Sequence, residues 1–304
     1  PATGAAGAGV TTTARYTPTA ADAGQTFTVT YTATDNSGAA CAVTRSFNIR
    51  VSSVPEISST VSSLNLCVGE SATFRVRASD AEPGNVTLSV SNAPSSLEFV
   101  PGLPLGGNPV ETVATFTPTD DDAGTRVVTF TALDGDGCVA TTVVTLNVTR
   151  RPTVTVSGAS GQIRGTGTAD DPFVLCPPGV DGGPASMLTY NVVASDADGG
   201  ETVTLSATGT PDGAGHTPEL PRTGAAGAAV STQFAFTPTA EQAGQSFTVT
   251  YTATDSFTPA CTATTTVHLR VSRLPQFVGA TPEAGTVFNV CDGDVLRFRV
   301  KAAD

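Results

Sequence analysis

The chain contains one stretch of sequence twice. Residues 3–52 and 223–272 align without a gap, and about 30 of the 50 positions are identical. Both copies contain the alternating run Phe-Thr-Val-Thr-Tyr-Thr-Ala-Thr-Asp, which ends at Asp35 and at Asp255. A looser third copy runs from Phe116 to Asp134. A structural unit repeated in series is typical of an array that provides length, spacing or multivalent display rather than one active-site cleft.

The repeats divide the chain into units of about 95 to 120 residues, an ordinary domain size. We predict complete domains at 53–150 and 151–272, each running from one linker proline to the next. Residues 1–52 are interpreted as the C-terminal half of a domain and 273–304 as the N-terminal half. We expect the sequence to be part of a longer array, with any signal peptide, anchor or catalytic domain outside it.

Period-2 alternation predicts β-strands throughout. In the run from Phe27 to Thr34, apolar residues occupy one face and threonines the other, and no segment sustains a period of 3.6. For the first complete domain we predict strands near 56–61, 64–67, 71–79, 86–92, 97–100, 111–117, 125–133 and 138–149. A helical turn over 119–124, capped by Thr119 and ended by Gly124, is expected to cross between two sheets. The fold class is therefore all-β, with tandem Greek-key β-sandwiches in a linear array.

Composition excludes several classes of function. Acidic residues outnumber basic ones by 27 to 15, so the formal charge of −12 disfavours binding to nucleic acid, which is itself a polyanion. No apolar run approaches the ~20 residues needed to span a bilayer.

The six cysteines recur in two contexts, one before a strand and one after an Asp-containing turn. One of each per repeat indicates a disulfide framework and an extracellular or cell-surface location, with buried free thiols as the alternative. The leading interpretation pairs cysteines within a repeat, Cys67 with Cys138 and Cys176 with Cys261. The alternative joins Cys67 to Cys261 and leaves partners outside the sequence for Cys41, Cys138, Cys176 and Cys291; a local Cys41–Cys67 bond is a third arrangement.

Several motifs resemble known extracellular repeats. The Asp122-Ala123-Gly124 turn before an alternating strand is similar to a corner of the immunoglobulin-like superfamily, and the run from Thr30 to Cys41 resembles hyalin-type and bacterial immunoglobulin-like repeats. Phe74–Asp80 and Val192–Asp198 are similar to cadherin repeats. The sequence departs from antibody domains, because it has no Trp and its cysteines do not lie at the centres of facing strands. The resemblance implies the fold and no particular recognition surface.

The cadherin-like motifs also imply a calcium site at each domain junction. The corresponding carboxylates are Glu70, Asp196, Asp198 and Asp255 at one junction, and Asp80, Glu82, Asp134 and Asp136 at the junction before it. Enough hard oxygen ligands are present for a six- to eight-coordinate ion. The alternative is that linker arginines such as Arg50 and Arg150 neutralise these loops, leaving no cofactor.

Residues for catalysis are sparse. His216 lies in a Gly-rich segment and His268 alternates with apolar residues on a strand, so we interpret both as surface residues without a catalytic partner. The Gly-rich stretches at 4–9 and 224–227 lack a following Lys-Ser/Thr, which argues against phosphate binding. We therefore predict that the protein is not an enzyme.

The leading hypothesis for function is a structural segment of a large extracellular repeat protein: the stalk or fibre of a surface adhesin, or a subunit of an external filament such as a mastigoneme. Linker prolines at 55, 152 and 275 restrict the chain to extended geometry. Expected partners are neighbouring repeats, other copies in a filament, or a cell-surface or glycan partner. Sequons at Asn85 and Asn147 would accept N-glycans in a eukaryote. The alternatives are a carbohydrate- or protein-binding adhesin module and a non-catalytic spacer of a secreted enzyme.

Overall fold

The structure is a computed structural model that describes residues 1–5, 7–36, 39, 41–179, 184–279, 282, 283 and 285–303. The chain divides into two compact units, Pro1–Val148 and Thr149–Asp304. The strands of the first unit are β1 (Thr26–Thr34), β2 (Ala42–Arg50), β3 (Glu56–Ser59), β4 (Ser63–Cys67), β5 (Ala72–Ser79), β6 (Val86–Ser91), β7 (Leu97–Val100), β8 (Leu105–Gly107), β9 (Val110–Phe116), β10 (Gly124–Leu133) and β11 (Val139–Thr149). Those of the second are β12 (Thr153–Gly161), β13 (Phe173–Leu175), β14 (Leu188–Ser195), β15 (Val203–Thr208), β16 (Gly215–Thr217), β17 (Arg222–Thr223), β18 (Val230–Phe236), β19 (Ser246–Asp255), β20 (Thr262–Val271), β21 (Gln276–Phe277) and β22 (Ala302–Ala303).

A β-sandwich occupies most of the first unit. One sheet has the order β3-β5-β9-β7 and the other the order β4-β11-β10-β6-β8. Alternate residues of both sheets point inward, so Phe74, Leu88, Phe116, Phe130 and Leu146 are almost fully buried between them. The strands predicted for 53–150 are confirmed to within three residues at each end, and β8 was not predicted.

The second unit contains the same kind of sandwich. Its sheets have the orders β12-β14-β18-β16 and β13-β20-β19-β15-β17. Two buried tyrosines lie at its centre, where the hydroxyl oxygens of Tyr190 and Tyr251 are 2.9 Å apart and satisfy each other away from water. The predicted all-β fold of β-sandwiches is confirmed, whereas the domain boundaries remain a prediction.

A short 3-10 helix precedes each of the strands β1, β10 and β19, at Ala20–Asp22, Asp120–Asp122 and Ala240–Gln242. In the first sandwich the backbone N–H and the hydroxyl of Thr119 both donate to Asp122 Oδ2, at 2.9 and 3.0 Å. The turn joins β9 of one sheet to β10 of the other, which confirms the predicted crossing. Thr119 stabilises this corner, because its backbone N–H and its hydroxyl both bond to Asp122.

The N-terminal segment differs from the sequence expectation at Tyr31. Its alternation places Tyr31 on an inward face, yet the residue is 39% exposed and stacks on Phe47, with ring centroids 5.9 Å apart. The reason is that β1 and β2 form a two-stranded sheet, and no second sheet covers them among the described residues. No helix in the described part of the chain has the length and apolarity needed to cross a membrane.

Candidate metal centre

A group of carboxylates lies at one end of the second sandwich. Asp196 follows the last residue of β14, Glu201 lies in the loop from β14 to β15, and Asp255 ends β19. β14 and β15 belong to different sheets, so the loop crosses the end of the sandwich. Val203 at the start of β15 pairs with Asp255, which brings the loop alongside this third carboxylate.

The three side chains are close enough to share a cation. Asp196, Glu201 and Asp255 each offer one oxygen within 4.8 Å of those of the others. One oxygen of each is hydrogen-bonded: Asp255 Oδ1 to the N–H groups of Phe257 (3.1 Å) and Cys261 (2.8 Å), Asp196 Oδ1 to the N–H of Asp198 (2.7 Å), and Glu201 Oε1 to the hydroxyl of Thr149 (2.8 Å). The second oxygen of each is buried and has no hydrogen-bond partner. Buried polar atoms are nearly always paired, so three unpartnered oxygens in one cluster form a group that could hold a cation.

Burial and mutual repulsion act on these groups together. Burial, with the nearby charges of Asp198 and Asp255, raises the pKa of Asp196 above its usual range. The pKa of Glu201 is raised by burial and by the charges of Asp255, Asp196 and Asp198. Asp255 is only 6% exposed. Ionised carboxylates in this position are destabilised, and either protons or a cation would relieve the repulsion.

Asp198 in the same loop has a different environment. Its Oδ2 accepts hydrogen bonds from the Arg150 N–H (2.6 Å) and the Thr149 hydroxyl (2.9 Å), and its Oδ1 lies 2.8 Å from the Arg150 guanidinium. Burial opposes ionisation of Asp198, but these bonds outweigh it and lower the pKa of the carboxyl. The predicted pairing of arginine with a loop aspartate therefore describes Asp198, whereas the pKa values of Asp196 and Glu201 are raised.

The equivalent end of the first sandwich brings together the other predicted carboxylates. The Ser52 hydroxyl lies 2.6 Å from Glu82 and 3.0 Å from Asp136, and the Ser53 hydroxyl donates to Asp80 at 2.8 Å. The Arg50 guanidinium lies 3.6 Å from Glu82 and 3.5 Å from Asp136. Hydrogen bonds from the Cys138 and Asp136 N–H groups outweigh the effect of burial and lower the pKa of Asp134. The positive charge of Arg50 therefore lies beside the carboxylates of the first sandwich.

A divalent metal fits the second cluster better than the first. Calcium takes six to eight oxygen ligands and accepts mono- or bidentate carboxylates, so Asp196, Glu201 and Asp255 could supply part of such a shell. Glu70 belongs to the first unit, where its Oε2 accepts the Cys67 N–H at 3.3 Å, and its role as a ligand remains a prediction. Sequence reasoning missed Glu201, which follows Asp198 by three residues. The intervening Gly199-Gly200 pair, which lets the loop fold back, was the available signal.

The cysteines differ from the leading prediction. Cys67 and Cys261 are disulfide-bonded and 1% exposed, whereas Cys41, Cys138, Cys176 and Cys291 are free thiols. The within-repeat pairs Cys67–Cys138 and Cys176–Cys261 and the local pair Cys41–Cys67 are therefore wrong.

Strand geometry explains why the within-repeat pairs do not form. Ser62 and Asn65, at the start of β4, are hydrogen-bonded to Thr145 and Asn147 near the end of β11, whereas Cys138 precedes its start. Eleven strand residues span about 36 Å, and a disulfide tolerates only about 4.4 to 6.8 Å between Cα atoms. In the second sandwich Leu175 pairs with Val271 at the end of β20, while Cys261 precedes β20.

The histidines and sequons have distinct environments. His216 is not the surface residue expected from sequence, because β16 lies on β18 and places its ring against Phe234, with Nε2 3.0 Å from the Tyr251 hydroxyl. His268 lies on the outer face of β20, 3.1 Å from the Thr248 hydroxyl.

The two sequons lie in different environments. Asn85 is exposed in a loop, but the side-chain amide of Asn147 is hydrogen-bonded to Asn65 and Thr125. Glycosylation at both sites remains a prediction.

Comparison with known proteins gives a structural likeness and no family assignment. No family model matches the chain, and no curated protein matches it. Among solved structures, the protocadherin GammaB4 extracellular domain is 17% identical with a TM-score of 0.33, over 84% of this chain and 39% of that one. Titin domains Z1Z2 in complex with telethonin are 14% identical with a TM-score of 0.28, over 73% and 98%. A protein of unknown function from Porphyromonas gingivalis W83 is 12% identical with a TM-score of 0.29, over 70% and 99%. The chain spans about two fifths of the protocadherin structure.

Proposed function

We propose that this chain is a non-enzymatic structural segment of an extracellular repeat protein. It forms the stalk or fibre of a surface adhesin, or a subunit of an external filament such as a mastigoneme or bacterial surface fibre. The bonded state of Cys67 and Cys261 supports an oxidising location. Other copies of the chain or a cell-surface component are its proposed partners.

One repeated arrangement carries this proposal. In both sandwiches, a hydroxyl from the segment that precedes the first strand is held by a loop carboxylate: Ser52 by Glu82, and Thr149 by Asp198. Ser52 lies three positions before Pro55, and Thr149 lies three positions before Pro152. The linker is therefore tied to the sandwich that follows it and is further restricted by the proline ring. Repeated attachment of linkers suits a segment whose function is spacing.

Small-angle X-ray scattering tests this function. Strands of about ten residues give each sandwich a length of at least about 30 to 35 Å, so two complete domains with their linkers should advance the chain by roughly 70 to 90 Å. An elongated particle is the expected result. A compact globule would contradict the structural function.

The alternative of a glycan- or protein-binding module receives less support. Such modules usually present exposed aromatic residues on one surface. Aromatic residues are 6% of the chain, and Tyr190 and Tyr251 are buried in the second core. Saturable binding to a glycan array would favour this alternative over the structural one.

We also propose that the second sandwich binds calcium through Asp196, Glu201 and Asp255. The supporting observation is the set of three buried, unpartnered carboxylate oxygens in one cluster. The first sandwich is not assigned an ion, because Arg50 already lies beside Glu82 and Asp136.

Thermal denaturation with calcium and with a chelator tests the ion. At about 100 times its Kd, a ligand specific to the native state adds about 2.7 kcal/mol to the free energy of unfolding. We expect this gain in the wild type and its loss in Glu201→Gln. In chelator, Glu201→Gln should equal or exceed the wild type in stability, because it removes one of three repelling charges.

Glu82→Gln, in the equivalent loop of the first sandwich, is the matched control and should retain the calcium response. An equal calcium effect on the wild type and on Glu201→Gln would overturn the assignment. Loss of the calcium site would leave the scattering result, and hence the structural function, unaffected.

A further inference from the structure

Strand β12 forms an open edge of the second sandwich. Within the described residues it pairs with β14 alone, in register from Thr153 opposite Ser195 to Ser157 opposite Asn191. The register shifts between Ser157 and Ser160, so residues 153–157 are the regular part of this edge. Its outer side presents backbone N–H and C=O groups that a further strand could pair with.

The side chains along this edge offer little protection against pairing. Thr153, Thr155 and Ser157 are exposed, Val154 and Val156 pack partly against the core, and none of the five is charged. The corresponding edge strand of the first sandwich, β3, has four residues and begins with Glu56. Charged residues are one usual means of blocking edge-to-edge association, and residues 153–157 contain none. Pro152 and the register shift after Ser157 limit the open edge to these five residues.

The segment is complementary to itself. If two copies pair antiparallel about Thr155, Thr153 lies opposite Ser157 and Val154 lies opposite Val156. Valines then meet valines on the core side, and hydroxyl residues meet hydroxyl residues on the solvent side. Hydrogen bonds between Thr and Ser side chains stabilise such ladders, and no like charges face each other in this pairing. An acidic or basic partner strand would gain nothing from charge here.

We propose that β12 is a docking edge for β12 of a second copy of this chain, joining two four-stranded sheets into one. This inference rests on the proposed function, in which other copies of the chain are partners, and names the strand through which they bind; it does not depend on the calcium site. Pairing over five residues buries much less surface than the ~1,600 Å² of a standard interface, so a weak, reversible dimer is expected.

Sedimentation velocity of the 304-residue chain over a wide concentration range tests the proposal. The free thiols are first blocked with iodoacetamide, so that intermolecular disulfides do not contribute. Thr155→Lys places a charge on the exposed side of the edge and should weaken dimerisation at least about tenfold. The matched control Asn191→Lys adds the same charge to the neighbouring, interior strand β14 at another exposed position and should leave the dimer unchanged.

Hydrogen exchange locates the contact. In concentrated wild-type protein, amides within residues 153–157 should gain protection that Thr155→Lys abolishes. The proposal is overturned by a wild type that stays monomeric at the highest concentration, by equal weakening in both variants, or by new protection confined to other strands.

Discussion

Acidic residues in one short loop of the second sandwich respond to acid in opposite directions. Asp198 has a lowered pKa, so its stabilising contribution is present above its unfolded pKa of 3.8 and is lost as pH falls through the lower folded value. Glu201 has a raised pKa, so its ionised form destabilises the fold above that raised value. This penalty disappears as pH falls towards the unfolded pKa of 4.5. The difference arises because the backbone N–H and the guanidinium of Arg150 bond to Asp198, whereas burial and neighbouring carboxylates dominate at Glu201.

His216 gives a residue-scale prediction for pH dependence. Burial against Phe234 and Tyr251 lowers its pKa below 6.5, and the ionisable groups of its contact network, Tyr251 and Tyr190, both have raised pKa values and stay neutral. The unfolded chain therefore binds a proton more readily, and stability falls as pH drops from about 6.5 towards the folded pKa. Since solvent screens a half-buried ring, the loss should be under about 1 kcal/mol.

Urea denaturation at neutral pH and near pH 5.5 measures this loss, with His216→Phe as the comparison. The variant keeps an aromatic ring against Phe234 but has no titrating group, so the loss should be absent from it. Comparing the two proteins cancels the opposite contribution of Glu201. Identical pH dependence in both would contradict the prediction.

At the scale of elements, alternation was enough to place most strands. Phe74, Val76 and Ala78 on β5 are buried while the residues between them are exposed, as the period of 2 requires. β8 was missed because Leu105-Gly106-Gly107 is too short and glycine-rich to alternate. Tyr31 follows the alternation of β1, but no second sheet covers β1 within the described residues. Its exposure therefore depends on residues distant in sequence and not on its own strand.

The candidate metal centre was only partly predictable. Asp196 and Asp255 follow recognisable strand ends, whereas Glu201 reaches the cluster through the path of a loop that has no periodic pattern. The unpartnered oxygens of these three carboxylates are buried by packing in the fold, which the amino-acid composition does not indicate. The same limit applies to Arg50 and Arg150: the sequence shows linker arginines, but only the fold shows which carboxylates they contact.

At the scale of the whole molecule, the disulfide is the remaining prediction. With the within-repeat pairs excluded, the arrangement left from sequence analysis joins Cys67 to Cys261, and both residues are disulfide-bonded. Non-reducing peptide mapping should recover one cross-linked peptide containing these two cysteines, and alkylation should modify four thiols before reduction and six afterwards.

Among the four free thiols, that of Cys138 should react most slowly with the alkylating reagent, because burial and the adjacent Asp134 raise its pKa. Closing a loop of more than 100 residues constrains the unfolded chain by up to about 5 kcal/mol in the chain-entropy model, so reduction should lower the melting temperature. A cross-linked peptide joining Cys67 to Cys138 would contradict this pairing.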